Sequence, residues 1–189
     1  MKTAVLAFHP HLGSGSRVTH RLAQAAQSVD GVSLVNEYQL YPDFHIDVAA
    51  EQETLLQADR IVWLFPFYWY SSPALLKQWE DDVLEHGWAY GSDGDRLHGK
   101  EFMLAISIGS PAEKYRPEGE FAVAGKDLLT PFRATARLIG VDWQQPFLVH
   151  GASFISDEDL EQAAQQFALR LQGPGSETAA TPPTTTTAN

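Results

Sequence analysis

The sequence predicts an α/β fold, a doubly wound five-stranded parallel sheet with helices on both faces. Short apolar runs recur along the chain largely without polar alternation, as strands buried on both faces require. Segments with apolar residues at helical spacing lie between them. Strand and helix alternate about five times, which is the signature of βαβ units.

The strand-like runs are residues 3 to 8, 32 to 35, 60 to 65, 102 to 108 and 147 to 149, rich in Val, Ile, Leu and Phe. After the first, Val18, Leu22, Ala25 and Val29 follow i, i+4, i+7, i+11 and predict an amphipathic helix. After the third, Leu76, Trp79 and Val83 follow i, i+3, i+7, with Pro73 expected at the first helical position. The last helix carries Leu160, Ala163, Ala164, Phe167 and Leu171 on one stripe, with Ser156 and Asp159 as a weak variant of the capping box. From Gly173 the composition shifts to Gly, Ser, Pro and Thr with Glu177 as the only charge, so a folded domain over 1–172 and a disordered tail over 173–189 are expected.

The chain has 189 residues, the size of one domain, and its 44% hydrophobic content with five Trp, six Tyr and ten Phe is globular. A net charge of −11 repels nucleic-acid phosphates, so no nucleic-acid partner is expected. There is no cysteine, which removes disulfides, thiolate nucleophiles and iron–sulfur clusters. Redox chemistry in this chain would rest on a bound organic cofactor. The apolar run at the N-terminus is too short for a signal peptide and has no cleavage site, which predicts a cytoplasmic protein. The longest uncharged stretch, between Arg60 and Lys77, is broken by Pro66, Ser71, Ser72 and Pro73 and falls short of the ~20 apolar residues of a spanning helix.

Right-handed crossovers leave two common strand orders, and in both the ligand lies beyond the C-terminal strand ends at the switch point. The loops after strands one, three and four are therefore the places to seek chemistry. The first reads His9-Pro10-His11-Leu12-Gly13-Ser14-Gly15-Ser16-Arg17-Val18-Thr19. Val18 stands where the third glycine of G-x-G-x-x-G belongs, and there is no Walker lysine, so neither nucleotide fingerprint is met. Hydroxyls of Ser14, Ser16 and Thr19 at a helix N-terminus suit a phosphate monoester, or Ser14 or Ser16 merely caps the helix. His9 and His11 lack further ligands for a metal, and none is expected.

The second loop follows Trp63, and six of the eight residues from Trp63 to Tyr70 are aromatic. Pro66 ends the strand, and Phe67, Tyr68, Trp69 and Tyr70 fall on the loop. Flat side chains at the switch point make a wall for a planar ligand, a hydrophobic plug or a dimer interface. The third loop, Ser107-Ile108-Gly109-Ser110-Pro111 with Tyr115 beyond, brings backbone N–H groups and hydroxyls to the same edge.

The strings Tyr41-Pro42-Asp43-Phe44, Ala50-Glu51-Gln52, Phe65-Pro66-Phe67-Tyr68-Trp69-Tyr70-Ser71-Ser72-Pro73-Ala74-Leu75-Leu76-Lys77-Gln78-Trp79 and Gly87-Trp88-Ala89-Tyr90-Gly91 resemble the NAD(P)H:quinone oxidoreductase family of flavodoxin-like flavoproteins. Within it the KefF and KefG ancillary subunits of potassium efflux systems are the most similar. The resemblance implies a flavodoxin-like fold, FMN in preference to FAD, and NAD(P)H as co-substrate with a quinone acceptor. It also implies a homodimer, with Trp79, Trp88 and Tyr90 expected at its interface. By position, the flavin phosphate site falls on His9, Ser16, Arg17, Val18 and Thr19. The ring contacts fall on Pro66, Phe67, Tyr68 and Trp69, and on Ser107, Ile108, Gly109 and Ser110. Tyr115 corresponds to the family's catalytic Tyr, and no His follows it before His150. Ser-Ile-Gly-Ser stands where the family has Thr-Thr-Gly-Gly. The resemblance also admits a regulatory subunit docked on a potassium/proton antiporter, at the inner membrane through that partner, with flavin mainly structural. A flavodoxin-type one-electron carrier shares the acidic charge but is disfavoured by the aromatic loop, which suits stacking of a second planar molecule.

Overall fold

A computed structural model describes residues 1–173. Apart from Gly173, the expected tail lies outside the described residues. Strands β1 (Thr3–Ala7), β2 (Val32–Asn36), β3 (Arg60–Pro66) and β4 (Glu101–Ser107) pair in parallel in the order β2-β1-β3-β4. The fifth position is shared by β5 (Asp142–Trp143) and β6 (Phe147–Val149), both parallel to β4. Only the second piece is legible as an apolar run. β4 advances from Phe102 to Ala105 while its neighbour advances from Trp143 to Phe147, one residue more. The extra residue and Pro146, which has no N–H for a ladder, break the strand.

The strand residues alternate between two cores. Ala4, Leu6, Phe8, Trp63 and Phe65 face α3 (Val48–Gln57), α4 (Ala74–Val83) and α5 (Thr130–Leu138), whereas Val5, Ala7, Val62 and Leu64 face α1 (Val18–Gln27) and α6 (Asp157–Gln172). A sheet covered on both sides explains why its strands lack polar alternation. The first core is built on edge-to-face rings: Trp63 lies 4.7 Å from Phe102 and 5.6 Å from Trp79, which lies 6.0 Å from Phe8. Each such contact contributes about 0.5–1.5 kcal/mol beyond burial.

Local signals set the helix ends. Asp47 caps α3 by accepting from the Ala50 N–H at 3.1 Å. Ser156 caps α6 by accepting from the Asp159 N–H at 3.0 Å, but the Asp159 carboxylate accepts from the Ser156 hydroxyl and not from its N–H, so only half of the expected box is formed. Pro73 is the N-cap of α4 rather than its first helical residue. At the far end of the sheet, Arg60 is 2% exposed and ties α6 down. Its guanidinium pairs with Glu101 at 2.6 Å and donates to the carbonyls of Arg170, Leu171 and Gly173, orphan acceptors at the helix C-terminus.

Candidate active site

The C-terminal strand ends place the three candidate loops side by side. After β1 the chain turns tightly, the Ser14 and Gly15 N–H groups both donating to the His11 carbonyl. A Cβ on Gly15 would lie 2.8 Å from His11 Cβ, so only glycine closes this turn. Ser16 Oγ accepts from the His20 N–H at 3.2 Å, so one hydroxyl of the loop does serve the helix end. Arg17, the N-cap residue, makes no side-chain cap. The N–H groups of Val18 and Thr19 thus open into the loop with the positive end of the helix dipole behind them.

Arg17 takes a different place from that implied by the resemblance. Its guanidinium bonds the Ile155 carbonyl and the Asp157 carboxylate at the start of α6, so only its backbone belongs to the loop. Val18 contributes backbone alone, because its side chain is buried in the core. His9 is buried, and its Nδ1 accepts from the His11 N–H at 3.0 Å. That bond puts the ring proton on Nε2. Burial and the neighbouring His11 push the His9 pKa below its ordinary value, so the ring is a neutral donor.

The aromatic run divides in two. Trp63 and Phe65 are core residues, 1% and 0% exposed. Trp79, expected at a dimer interface, is also wholly buried and donates its indole N–H to Glu51. Its place at helical spacing on α4 fits core and interface equally, and the fold put it in the core. Pro66 remains paired opposite Ser107 as the last residue of β3. It lies beyond the end of β1, whose last residue pairs with Leu64, so its missing N–H deprives no neighbour. The ladder then passes to Phe67, whose N–H donates to the Ser107 carbonyl at 2.8 Å.

Beyond Phe67 the chain forms a tight turn closed by the Ser71 N–H on the Tyr68 carbonyl at 2.9 Å. Trp69 and Tyr70, its central residues, have φ of 48° and 62°, the left-handed pair of a type I′ turn usually given to Asn and Gly. Two bulky aromatics there store strain, the kind of backbone outlier that clusters at functional sites. Trp69 is 93% exposed, with Tyr68 and Tyr70 partly exposed beside it.

The third loop locks onto the first. Ser107 Oγ and Thr19 Oγ1 share a buried hydrogen bond of 2.9 Å. Ile108 is buried in the core, which answers its lost hydroxyl: the side chain faces away, and its carbonyl accepts from the Ala152 N–H. Its own N–H donates to Val149. Gly109 is exposed, and a Cβ there would meet Ser153 Oγ at 3.1 Å.

Tyr115 closes the far side. Its ring lies 6.4 Å from Phe67, 5.0 Å from Phe121 and 5.7 Å from His150, and Phe121 lies 5.6 Å from Tyr70. Burial raises the phenol pKa, with a hydrogen bond from Ser110 working the other way. His150, just past β6, is pushed below its ordinary value by burial, opposed by a hydrogen bond to the Ser110 backbone and by Glu113. Its Nδ1 is buried without a partner. Spacing could not reveal this neighbour of Tyr115, because it comes from the next strand end. A cleft of about 380 Å³ between α4 and α5, lined by Ser71, Lys77, Glu80, Tyr90, Phe132 and Leu138, borders the aromatic turn at Ser71 but contains none of the candidate flavin contacts.

The family model described as having the flavodoxin-like fold matches residues 1–171. The chain belongs to this flavodoxin-like family. General stress protein 14 of Bacillus subtilis (strain 168) is 46% identical over 92% of this chain and 99% of its own. The uncharacterized NAD(P)H oxidoreductase YrkL of the same organism is 45% identical over 88% and 95%. Among solved structures, a thermophilic tryptophan halogenase from Streptomycin violaceusniger superposes with a TM-score of 0.87 at 43% identity, over 90% and 99% of the chains. General stress protein 14 of Treponema denticola in complex with FMN gives 0.83 at 37%, over 90% and 98%. An NADPH-quinone reductase from P. pentosaceus gives 0.80 at 26%, over 95% and 100%. Among the described residues of this flavodoxin-like chain, no helix is long and apolar enough to cross a membrane.

Proposed function

We propose that this chain is an FMN-dependent NAD(P)H:quinone oxidoreductase. The observation that carries the reading is the meeting of three loops at one sheet edge: a helix N-terminus whose Val18 and Thr19 N–H groups have no cap, an exposed strained aromatic turn and a third turn joined to the first by the Thr19–Ser107 bond. The FMN complex of the Treponema denticola relative and the name of the P. pentosaceus reductase support it.

The donor set suits FMN. Val18 and Thr19 N–H groups, with the neutral Nε2–H of His9, supply hydrogen bonds to a phosphate without a buried cation. That accommodates an anion in a chain of net charge −11. Bound FMN supplies hydride acceptance from NAD(P)H and two-electron delivery to a quinone. The chain's part is to bind, orient and donate. Pro66, Phe67, Tyr68 and Trp69 provide a flat wall on one side, and the Ser107–Ser110 turn brings the backbone N–H groups of Gly109 and Ser110 to the polar edge. Tyr115 keeps its phenolic proton at neutral pH and is a donor to negative charge developing near it. Neutral His150 stands behind it with its Nδ1 unpartnered.

The exposed Trp69 belongs with a second protomer, so the reading includes a homodimer closing the site across the aromatic turn, with Tyr68 and Tyr70 flanking. The test is reconstitution: the purified protein takes up FMN and oxidises NADPH with menadione as acceptor. A protein that binds no FMN sinks the proposal.

A further inference from the structure

Two buried carboxyls, Glu37 and Glu51, lie on the side of the first core, in residues for which the proposed reaction has no use. Glu37 opens α2 (Glu37–Leu40), is 0% exposed, and neither of its carboxyl oxygens has a hydrogen-bond partner. Glu51, on α3, is 2% exposed and accepts from the Tyr41 hydroxyl at 2.8 Å and the Trp79 indole N–H at 2.9 Å. Asn36 Oδ1, just before Glu37, is buried and unpartnered as well. The titratable groups around the pair are Tyr41 and Asp47, and the group acting on Glu37 is Glu51; no Lys or Arg of the described residues offsets it.

Two carboxyls in one apolar setting cannot both be charged. Glu51 has two donors facing it and Glu37 has none, so Glu37 is the carboxyl that keeps its proton. Burial and Glu51 push the Glu37 pKa up to about 9. The segment that follows is held by Tyr41, buried in the first core and bonded to Glu51, and by Tyr38 and Ile46 packed against that core. α2 is a single turn, and Pro42, Asp43, Phe44 and His45 are exposed. It is also tied to the site, because the Tyr38 hydroxyl accepts from the Leu75 N–H at 3.3 Å, at the start of α4 behind the aromatic turn.

We propose that Glu37 is a proton-dependent latch: α2 stays packed against β1 and tied to α4 through Tyr38 only while Glu37 keeps its proton, and losing it opens the segment from residue 36 to 47 and withdraws Tyr38 from Leu75. The sign follows from linkage. Opening exposes a carboxyl that titrates near 4.5, whereas the closed form holds its proton to about 9. Between those values opening releases one proton, so its equilibrium constant rises tenfold per pH unit, and it is flat outside them.

Amide hydrogen exchange of the full-length chain between pH 6 and 8.5, corrected for the intrinsic pH dependence of exchange, tests this without reference to any cofactor. Amides of residues 36–47 should open tenfold more per pH unit while those of β1 and β3 stay constant. Glu37→Gln and Glu37→Leu should both abolish the slope, and the leucine variant covers the case in which the amide fails to pack. A flat profile in the unaltered chain, or the same slope in a folded variant, overturns the latch.

Discussion

Tyr115 and His150 face each other with ring centroids 5.7 Å apart, one beyond β4 and the other at the end of β6. Parallel pairing of Ser107 with Val149 brings the two strand ends to the same height, so residues remote in sequence become neighbours. Both are uncharged at neutral pH, the phenol because burial raises its pKa and the imidazole because burial lowers it.

Removing the phenol should therefore cost turnover without loosening the fold. Tyr115→Phe is expected to lower kcat by about 10²-fold, the range of a single positioned proton donor, with FMN retention unchanged. Steady-state kinetics beside a flavin retention assay checks it. Stability should respond to His150 in a defined window. Its folded pKa lies below the ordinary 6.5, so the unfolded chain takes the proton first and stability falls as pH drops below 6.5. His150→Phe should flatten that part of a urea-denaturation series.

Strain at the aromatic turn separates binding from folding. Trp69 is 93% exposed with φ 48°, so it contributes little packing and carries the cost of a left-handed backbone. Trp69→Gly should be about 1 kcal/mol more stable than Trp69→Ala, because glycine has no Cβ to oppose positive φ. Both should lose FMN more readily than Ser107→Ala. Equal retention in all three would remove Trp69 from the flavin wall.

The hydroxyl pair behind the wall should behave as one unit. Ser107→Ala leaves the buried Thr19 hydroxyl unpaired, at about 1–3 kcal/mol. Adding Thr19→Val should cost less than the sum of the two single changes, and a double-mutant cycle in urea measures the difference.

Arg60 offers a test remote from the site. Its buried guanidinium serves Glu101 and three carbonyls of the α6 terminus, so Arg60→Ala should destabilise by about 3–5 kcal/mol. Arg60→Lys should not restore this, since an ammonium cannot span the same fork of acceptors.

The parallel sheet was legible because its strands, covered on both faces, are uninterrupted apolar runs; β3 and β4 are buried almost throughout. β5 was not, since two residues ahead of Pro146 carry no periodicity. α3 was missed for a related reason: its stripe is weak, and its start is marked only by the Asp47 cap. In the site, strand ends locate loops, so the three candidate loops were legible as neighbours at one sheet edge. Side-chain direction was not legible. Arg17 turns to Asp157 and Trp79 into the core because tertiary partners decide between equally compatible faces. Glu37 gave no signal at all, as an acidic residue at a helix start ordinarily reads as solvent-exposed.

The central claim is that these three loops hold one flavin. An absorption spectrum of the purified, FMN-reconstituted protein after desalting tests it most directly. The account requires flavin bands near one FMN per chain, lost in Trp69→Ala. A colourless protein that takes up no FMN would contradict it.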